Sequence, residues 1–170
     1  MDEPIAAAIL ACDALRRWWY RPGQRRYAKA KGILVLADCG GSNGYRVSLF
    51  RQRLCEVAQR IRRTIRVARL PPYCSKYNPI DHRLFCHLTR SLQGVLCRSI
   101  EILRDAFART TTSTGLRVVV ELARRAYQAG RKATAAFREN EPILRDDLLP
   151  AFNYIAPGKQ QMPELFLSES

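Results

Sequence analysis

Two aspartates in this sequence, Asp38 and Asp81, have the residue type and the setting that metal chemistry requires. Asp38 follows an apolar run at 33–37 and precedes a glycine-rich stretch at 40–44, while Asp81 lies 43 positions further on, inside the polar segment 75–82. Two carboxylates can bind Mg²⁺, which positions a phosphodiester, polarises it and activates a water molecule or a 3′-hydroxyl group. The pair therefore predicts metal-dependent chemistry on nucleic acid, although such chemistry usually needs a third carboxylate, for which the sequence offers no candidate.

Polar residues around the aspartates are candidate contacts to DNA. Lys76 and Arg83 are expected to hold phosphates, because they flank the second aspartate and carry the charge opposite to that of the DNA backbone. Asn43, Asn78 and His82 are expected to contact DNA or the ligands of the metal. These three side chains complete the predicted nucleic-acid site.

Each acidic residue also has a purely structural interpretation. Asp38 can begin a turn by accepting a hydrogen bond from its own backbone. Asp81 can stabilise the first turn of a helix, where free N–H groups and the helix dipole favour a carboxylate. His82 can likewise be structural. The functional interpretation depends on both aspartates meeting at one edge of a sheet.

The charge of the chain points to a polyanionic partner. The 170 residues include 29 lysines and arginines against 15 aspartates and glutamates, a formal net charge of +14. Such an excess favours nucleic acid, whose condensed counterions are released on binding. An anionic membrane surface and a merely solvated basic surface are the alternatives. No apolar segment approaches the roughly 20 residues that a membrane-spanning helix needs. Nucleic acid is the expected partner, and a membrane is not.

Six cysteines are present, and none forms a C-x-x-C pair. Because no signal peptide is recognisable, we expect reduced thiols in a cytoplasmic protein, most of them buried as small apolar side chains. A zinc site built from Cys74, His82, Cys86 and His87 is the weaker alternative, since that spacing matches no common zinc module.

The elements that position the aspartates are a strand, a helix and a second strand. The apolar run predicts a buried strand over 32–37, an amphipathic stripe predicts a helix over 43–63, and alternation predicts a strand over 64–69. This order implies two parallel strands with a right-handed crossover. Asp38 would then lie at the carboxyl end of a parallel strand, where open α/β sheets bind their ligands.

Further elements are predicted on both sides of this unit. Helical spacing predicts a helix over 4–20 that ends at Pro22, followed by a basic loop over 24–31. A third helix should begin at Asn78 and end at Gly94. The remaining expectations are helices over 98–109 and 134–140, a strand over 116–122, an anchoring segment at 152–155 and a frayed end over the last ten residues.

Several segments together resemble a known family. They are 15–19, 36–46, 75–85, 110–116 and 152–154, in that order along the chain. The sequence resembles the C-terminal part of the catalytic domain of a DDE-type insertion-sequence transposase of the Rhodopirellula-type (ISAzo-like) family. The two central segments are the specific ones, and the others support them.

The resemblance implies an α/β, ribonuclease H-like fold with two Mg²⁺ ions and three carboxylates. Asp38 matches the second carboxylate, and Asp81 stands where the family usually has glutamate, which is one methylene longer. Cys39, Tyr77 and the segment 91–94 depart from the family pattern. The family places its first carboxylate on a strand that should precede the helix at 4–20.

The expected protein is therefore a truncated ribonuclease H-like fold that lacks its first three strands, so that the strand at 32–37 has an unpaired edge. Residues 1–112 would form the partial catalytic domain, 113–157 its C-terminal extension and 158–170 a disordered tail. The full-length form would cleave DNA and transfer strands, with transposon ends and target DNA as partners, and would form a homo-oligomer. Without the first aspartate this chain alone would be inactive.

Two other functions stay open from the residues. One is a basic α/β module that binds nucleic acid without catalysis. The other is an enzyme for a nucleotide or another phosphate ligand, since the turn at 40–44 lies between a strand and a helix. That turn does not match the dinucleotide or P-loop patterns, and Arg69, not an acidic residue, closes the second strand.

Overall fold

The computed structural model describes residues 3–38, 48–71, 73–123 and 132–158. The glycine-rich turn, Asn43 and nearly all of the expected tail lie outside the described residues. The chain divides into two compact units, the first formed by Met1–Cys74 together with Tyr127–Ser170, and the second by Ser75–Ala126. The predicted boundaries at 112 and 157 stay predictions.

The first unit contains a mixed four-stranded sheet in the order β1-β2-β4-β3. The strands are β1 (Gly32–Ala37), β2 (Thr64–Arg69), β3 (Leu144–Arg145) and β4 (Tyr154–Ala156). β1 and β2 are parallel and pair from Gly32 with Thr64 to Ala37 with Arg69, as the sequence predicted. β4 is antiparallel to both β2 and β3. This mixed α/β architecture confirms the expected fold class and is compatible with a ribonuclease H-like fold.

β1 lies at an edge of the sheet and is covered on one face only. Leu34 is 60% exposed and Leu36 is also exposed, whereas Ile33 and Val35 are partly buried. The prediction of a buried strand was therefore wrong for half of its side chains, because an alternating strand buries one set of side chains when only one face of the sheet is covered. Among the described residues, no strand pairs with the outer edge of β1.

Two helices of the first unit pack against each other, and the second of them also packs against β2 and β4. They are α1 (Glu3–Trp18) and α3 (Ser48–Ile61), and α3 confirms the predicted helix over the part of it that is described. The apolar stripe of α3 faces the sheet because its residues recur at helical spacing. The buried core of this unit comprises Ala8, Cys12, Trp19, Phe50, Leu54, Cys55, Val57, Ala58, Ile61, Ile65, Val67, Tyr154 and Ala156.

The first helix does not stop at Pro22, so that prediction was wrong. A π-helical turn, Trp19–Gly23, carries the chain into a short α2 (Gln24–Arg26). Proline has no N–H to donate, and the wider turn satisfies the backbone around it because the Gln24 N–H donates to the Trp19 carbonyl. Two of the basic residues expected in a loop, Arg25 and Arg26, are thereby held on helical backbone.

Only two of the described cysteines belong to the core, so the expectation that most are buried was wrong. Cys12 and Cys55 are buried, Cys74 is half-buried, and Cys86 and Cys97 are exposed; all five are free thiols. Burial raises the pKa of the Cys12 thiol to about 12 and that of the Cys55 thiol also to about 12. Both thiols therefore stay protonated and unreactive at neutral pH.

The C-terminal part of the first unit adds α6 (Ala135–Glu139), which confirms the predicted short helix. The Thr134 hydroxyl caps this helix by accepting from the Phe137 N–H, and the Thr134 N–H donates to the side chain of Gln52 on α3. The expected anchor at 152–155 docks as strand β4, with Tyr154 buried in the core.

The second unit is helical in its described part. After a 3₁₀ turn (Ser75–Tyr77) come a π-helical turn (Asp81–Phe85), α4 (Cys86–Ser91) and α5 (Ile100–Ala108). The predicted strand at 116–122 was wrong, because those residues have no secondary structure and Val119 is exposed. A run of β-branched residues forms a strand only where a partner strand accepts its hydrogen bonds.

Candidate functional site

Asp38 directly follows β1, at the carboxyl end of the parallel pair. The Leu70 N–H donates to the Ala37 carbonyl at 2.9 Å, which holds the two strands together up to the residue before the aspartate. Asp38 is exposed. Within the described ranges no group donates to its carboxylate or forms a salt bridge with it, so its oxygens are available to a ligand.

Arg69 lies beside this aspartate at the end of β2, and its burial is a feature that the sequence did not reveal. Arg69 is 6% exposed, and its guanidinium carbon lies 5.9 Å from the Phe50 ring centroid and 5.4 Å from that of Tyr154. Its Nη2 donates to the Tyr154 hydroxyl at 3.4 Å, while Nε and Nη1 are buried without a hydrogen-bond partner among the described groups. A poorly compensated positive charge thus lies one strand away from Asp38.

The pKa of Tyr154, one of the aromatic neighbours of Arg69, is raised in the folded protein. Burial raises the pKa of the Tyr154 hydroxyl to about 12, although the nearby Arg69 charge acts in the opposite direction. The Tyr154 hydroxyl is therefore a neutral acceptor at physiological pH. Asn153 adds a further contact at the same end of the sheet, because its side-chain oxygen accepts from the backbone N–H of Arg69 at 3.3 Å.

Asp81 begins the π-helical turn of the second unit, in the segment predicted to start a helix. The side-chain oxygen of Asn78 accepts from the Ile80 N–H at 3.3 Å, and the Asn78 carbonyl accepts from the Asp81 N–H at 3.1 Å. Asn78 therefore acts as the predicted cap. Asp81 is half-buried, and its carboxylate has no hydrogen-bond or salt-bridge partner within the described part of the chain.

The neighbours of Asp81 form one local cluster. His82 Nε2 lies 2.6 Å from the Lys76 carbonyl oxygen, which ties the start of the helix back to the preceding turn. The Lys76 ammonium lies 5.0 Å from the centre of the Tyr77 ring. Arg83 is exposed. His82 thus makes a structural contact through Nε2, and its predicted contact with DNA or with the ligands of the metal stays a prediction.

The structure brings five of the predicted site residues together in the second unit, namely Lys76, Asn78, Asp81, His82 and Arg83. Asp38 belongs to the first unit, and Asn43 is outside the described residues. A shared cation site for the two aspartates therefore remains a prediction.

The described ranges contain no cluster of side chains that could hold a metal ion by itself. No group of three or more histidine, cysteine, aspartate or glutamate side chains is placed to hold a metal ion there. The zinc alternative finds no support, since Cys86 Sγ instead donates to the His82 carbonyl at 3.0 Å. Among the described helices, none is long and apolar enough to cross a bilayer.

Comparison with known protein families identifies the family of this chain. A family model described as the Rhodopirellula transposase DDE domain matches residues 4–157. Neither the curated proteins nor the solved structures provide a match to this chain.

Proposed function

The chain belongs to the Rhodopirellula transposase DDE domain family, and we propose that Asp38 and Asp81 are two carboxylates of a Mg²⁺ site with which a full-length form would cleave DNA and transfer strands. Family membership supports a transposase-related function for the chain. The identity of the metal, the reaction and the roles of the two aspartates are our proposal.

The observation that best supports this proposal is the setting of Asp38. Its carboxylate is exposed at the carboxyl end of a parallel strand, which is the edge where α/β sheets bind ligands. The buried Arg69 charge at the end of the next strand favours an anion at that edge. A phosphate group would gain from both features, since the arginine attracts it and a cation on Asp38 neutralises it.

The segment around Asp81 offers what a phosphate contact needs. Asn78 uses its side-chain oxygen as a helix cap, so its amide NH₂ group remains able to donate. Lys76 and Arg83 are exposed cations on either side of the aspartate. We assign these three residues to the DNA backbone, with His82 holding the segment in shape through its contact with the Lys76 carbonyl. Asn43 keeps its predicted DNA contact as part of this proposal.

The donor set suits Mg²⁺, because carboxylates are hard oxygen ligands and Mg²⁺ commonly binds one or two of them and fills its remaining positions with water and phosphate. When bound, the ion would supply charge neutralisation at the phosphate and a more acidic water or hydroxyl group. Two carboxylates fit one ion of this kind. The two-ion chemistry expected of the family requires a further carboxylate, so we propose that the 170-residue chain binds DNA but does not cleave it.

Substituting either aspartate tests the site directly. Asp38→Asn and Asp81→Asn should each weaken the binding of Mn²⁺, used as a probe for Mg²⁺, by about tenfold, because each removes one charged oxygen ligand. Isothermal titration calorimetry of the purified chain measures this affinity. Asp147→Asn removes an exposed carboxylate from the first unit and should leave Mn²⁺ affinity unchanged.

An unchanged affinity in either aspartate variant would contradict the shared site. The second candidate function is a non-catalytic module that binds nucleic acid, which the net charge of +14 favours. Measurements of DNA binding distinguish it from the proposed metal site, because such a module would bind DNA with no dependence on Mn²⁺ or on Asp38. Cleavage of DNA by the unsubstituted chain in Mg²⁺ would show that the two carboxylates suffice. Homo-oligomer formation and a cytoplasmic location remain predictions from the sequence.

A further inference from the structure

A cationic surface lies at the amino end of the parallel strands of the first unit, opposite the end that carries Asp38. Residues 14–31 and 59–63 contain ten of the 29 lysines and arginines of the chain and no aspartate or glutamate. Residues 14–31 run from the last turns of α1 through α2 to the start of β1, and residues 59–63 join α3 to β2. Two segments that are distant in sequence thus share an unusual composition.

Direct contacts hold these two segments together. The Tyr20 hydroxyl donates to the Arg60 carbonyl at 3.1 Å, and the Arg63 guanidinium lies 5.5 Å from the centre of the Trp19 ring. Gly158 backs this junction, because a Cβ on it would lie 2.9 Å from the backbone nitrogen of Arg63. The basic side chains are therefore presented by a packed framework.

Aromatic rings are exposed among these cations. Trp18 is 40% exposed and Tyr27 is 48% exposed. Their ring centroids are 6.1 Å apart with an interplanar angle of 38°, and the Arg26 guanidinium lies 6.0 Å from the Tyr27 ring. We call Trp18, Tyr27, Arg25, Arg26 and Arg62 the basic aromatic face.

Among the described residues, the acidic side chain of Asp13 neutralises the border of this region. Asp13 forms salt bridges with Arg16 at 2.6 Å and with Arg17 at 2.9 Å. Within the described part of the chain, Arg26 and Arg62 have no acidic partner. An accumulation of uncompensated positive charge is unfavourable in the free protein and is relieved by a polyanion.

The basic aromatic face is separate from the proposed metal site. It lies near Lys31 and Arg63, the residues that precede β1 and β2, whereas Asp38 follows the far end of β1. A six-residue strand is about 20 Å long, so one bound phosphate group could not contact both regions.

We propose that the basic aromatic face binds single-stranded DNA, with bases stacked on Trp18 and Tyr27 and phosphates on the arginines. This rests on the proposed function only in that DNA is the partner. Single strands are favoured over duplex because exposed rings can stack on unpaired bases, and Arg–aromatic surfaces bind them with little sequence preference. Base pairs in a duplex already stack on one another.

Tryptophan fluorescence tests the stacking, because the chain has only two tryptophans and Trp19 is buried. A short oligothymidylate should quench the emission of the full chain, and Trp18→Phe should abolish the quenching while leaving the emission of Trp19. Trp18→Ala should weaken binding by about tenfold. Trp18→Phe, which keeps a ring that can stack, should retain most of the affinity measured by fluorescence anisotropy of a labelled strand.

Charge substitutions test the phosphate contacts. The triple variant Arg25→Gln, Arg26→Gln and Arg62→Gln should lower the slope of log affinity against log salt by about 2, since each lost phosphate contact on a single strand contributes about 0.7. The matched control replaces three other exposed arginines, Arg109, Arg117 and Arg138, by glutamine and should keep the slope. Circular dichroism checks that both variants are folded.

Three results would overturn this inference. They are quenching that persists in Trp18→Phe, a salt slope that falls equally in the matched control, and a duplex of the same length that binds as tightly as the single strand. Loss of Mn²⁺ affinity in Asp38→Asn together with unaltered DNA binding in the face variants would reject the face and leave the proposed metal site standing. The opposite pattern would reject the metal site alone.

Discussion

The two ends of the sheet in the first unit place arginine next to aromatic rings in opposite ways. At the carboxyl end, Arg69 is buried near Phe50 and Tyr154, and two of its nitrogens lack partners among the described groups. At the amino end, Arg26 lies against Tyr27 with both side chains exposed. Placing an arginine next to an aromatic ring therefore costs desolvation of the guanidinium at the carboxyl end and almost none at the amino end.

This difference indicates two different roles. A buried and poorly compensated cation beside the exposed Asp38 creates a fixed local field at the edge where we propose that metal and phosphate bind. Exposed cations on rings keep their hydration in the free protein and can pair with phosphates without rearrangement. These settings agree with the two roles that we propose, a site for metal and phosphate at the carboxyl end and a DNA-binding face at the amino end.

The largest expected effect on stability comes from replacing the buried arginine. Arg69→Met should raise the free energy of unfolding by about 1 to 4 kcal/mol, because it removes a buried charge that has no acidic partner among the described residues and keeps an unbranched side chain. Arg26→Met at the other end should change it by no more than about 0.5 kcal/mol. Urea denaturation followed by circular dichroism measures both values.

A loss of stability of more than about 1 kcal/mol in Arg69→Met would break the comparison. It would mean that the contacts of Arg69 with the two rings and with the Tyr154 hydroxyl outweigh the desolvation of its charge. The two ends would then differ in exposure but not in strain.

Alkaline pH should lower the free energy of unfolding by a smaller amount per pH unit, through buried thiols such as that of Cys12. The pKa of Cys12 is raised to about 12 from its ordinary value of 9.0, and the Cys12 Sγ donates to the Phe50 carbonyl at 3.8 Å. Because the folded state holds this proton more tightly, the stabilisation is complete below pH 9 and is lost as pH rises toward 12. Each such group contributes a slope of about −1.4 kcal/mol per pH unit in that window.

Cys12→Ala should therefore make the stability curve less steep between pH 9 and pH 12, as measured by urea denaturation at a series of pH values. Cys86→Ala is the matched control, since Cys86 is exposed, and it should leave the slope unaltered. Equal slopes in the two variants would show that the Cys12 thiol titrates no differently in the folded and unfolded states.

The sequence predicted the parts of the fold that depend on local patterns. The parallel pair β1 and β2 followed from a short apolar run, an amphipathic helix and an alternating strand, and the cap at Asn78 followed from its place before Pro79. The continuation of the helix past Pro22 was missed because a wider turn supplies the bond that proline cannot. The strand expected at 116–122 failed because pairing depends on a partner that no local pattern specifies.

The candidate site divides in the same way. The cluster around Asp81 lies within one short segment, so spacing alone placed its members together. The burial of Arg69 depends on Tyr154, which is 85 positions away, and on the docking of β4, which the sequence presented only as an anchoring segment. The junction of Trp19 with Arg63, which supports the basic aromatic face, depends on the packing of α1 against α3. Contacts at such separations follow from the tertiary fold and have no signal in the local sequence.

Nuclear magnetic resonance with Mn²⁺ as a paramagnetic probe tests the central claim most directly. If the carboxylates of Asp38 and Asp81 share one cation, substoichiometric Mn²⁺ should broaden the amide signals of residues 36–38 and 78–82 together, and Asp38→Asn should reduce the broadening of both segments. Broadening confined to one of the two segments, or loss of it in only one of them when Asp38 is replaced, would contradict a shared site.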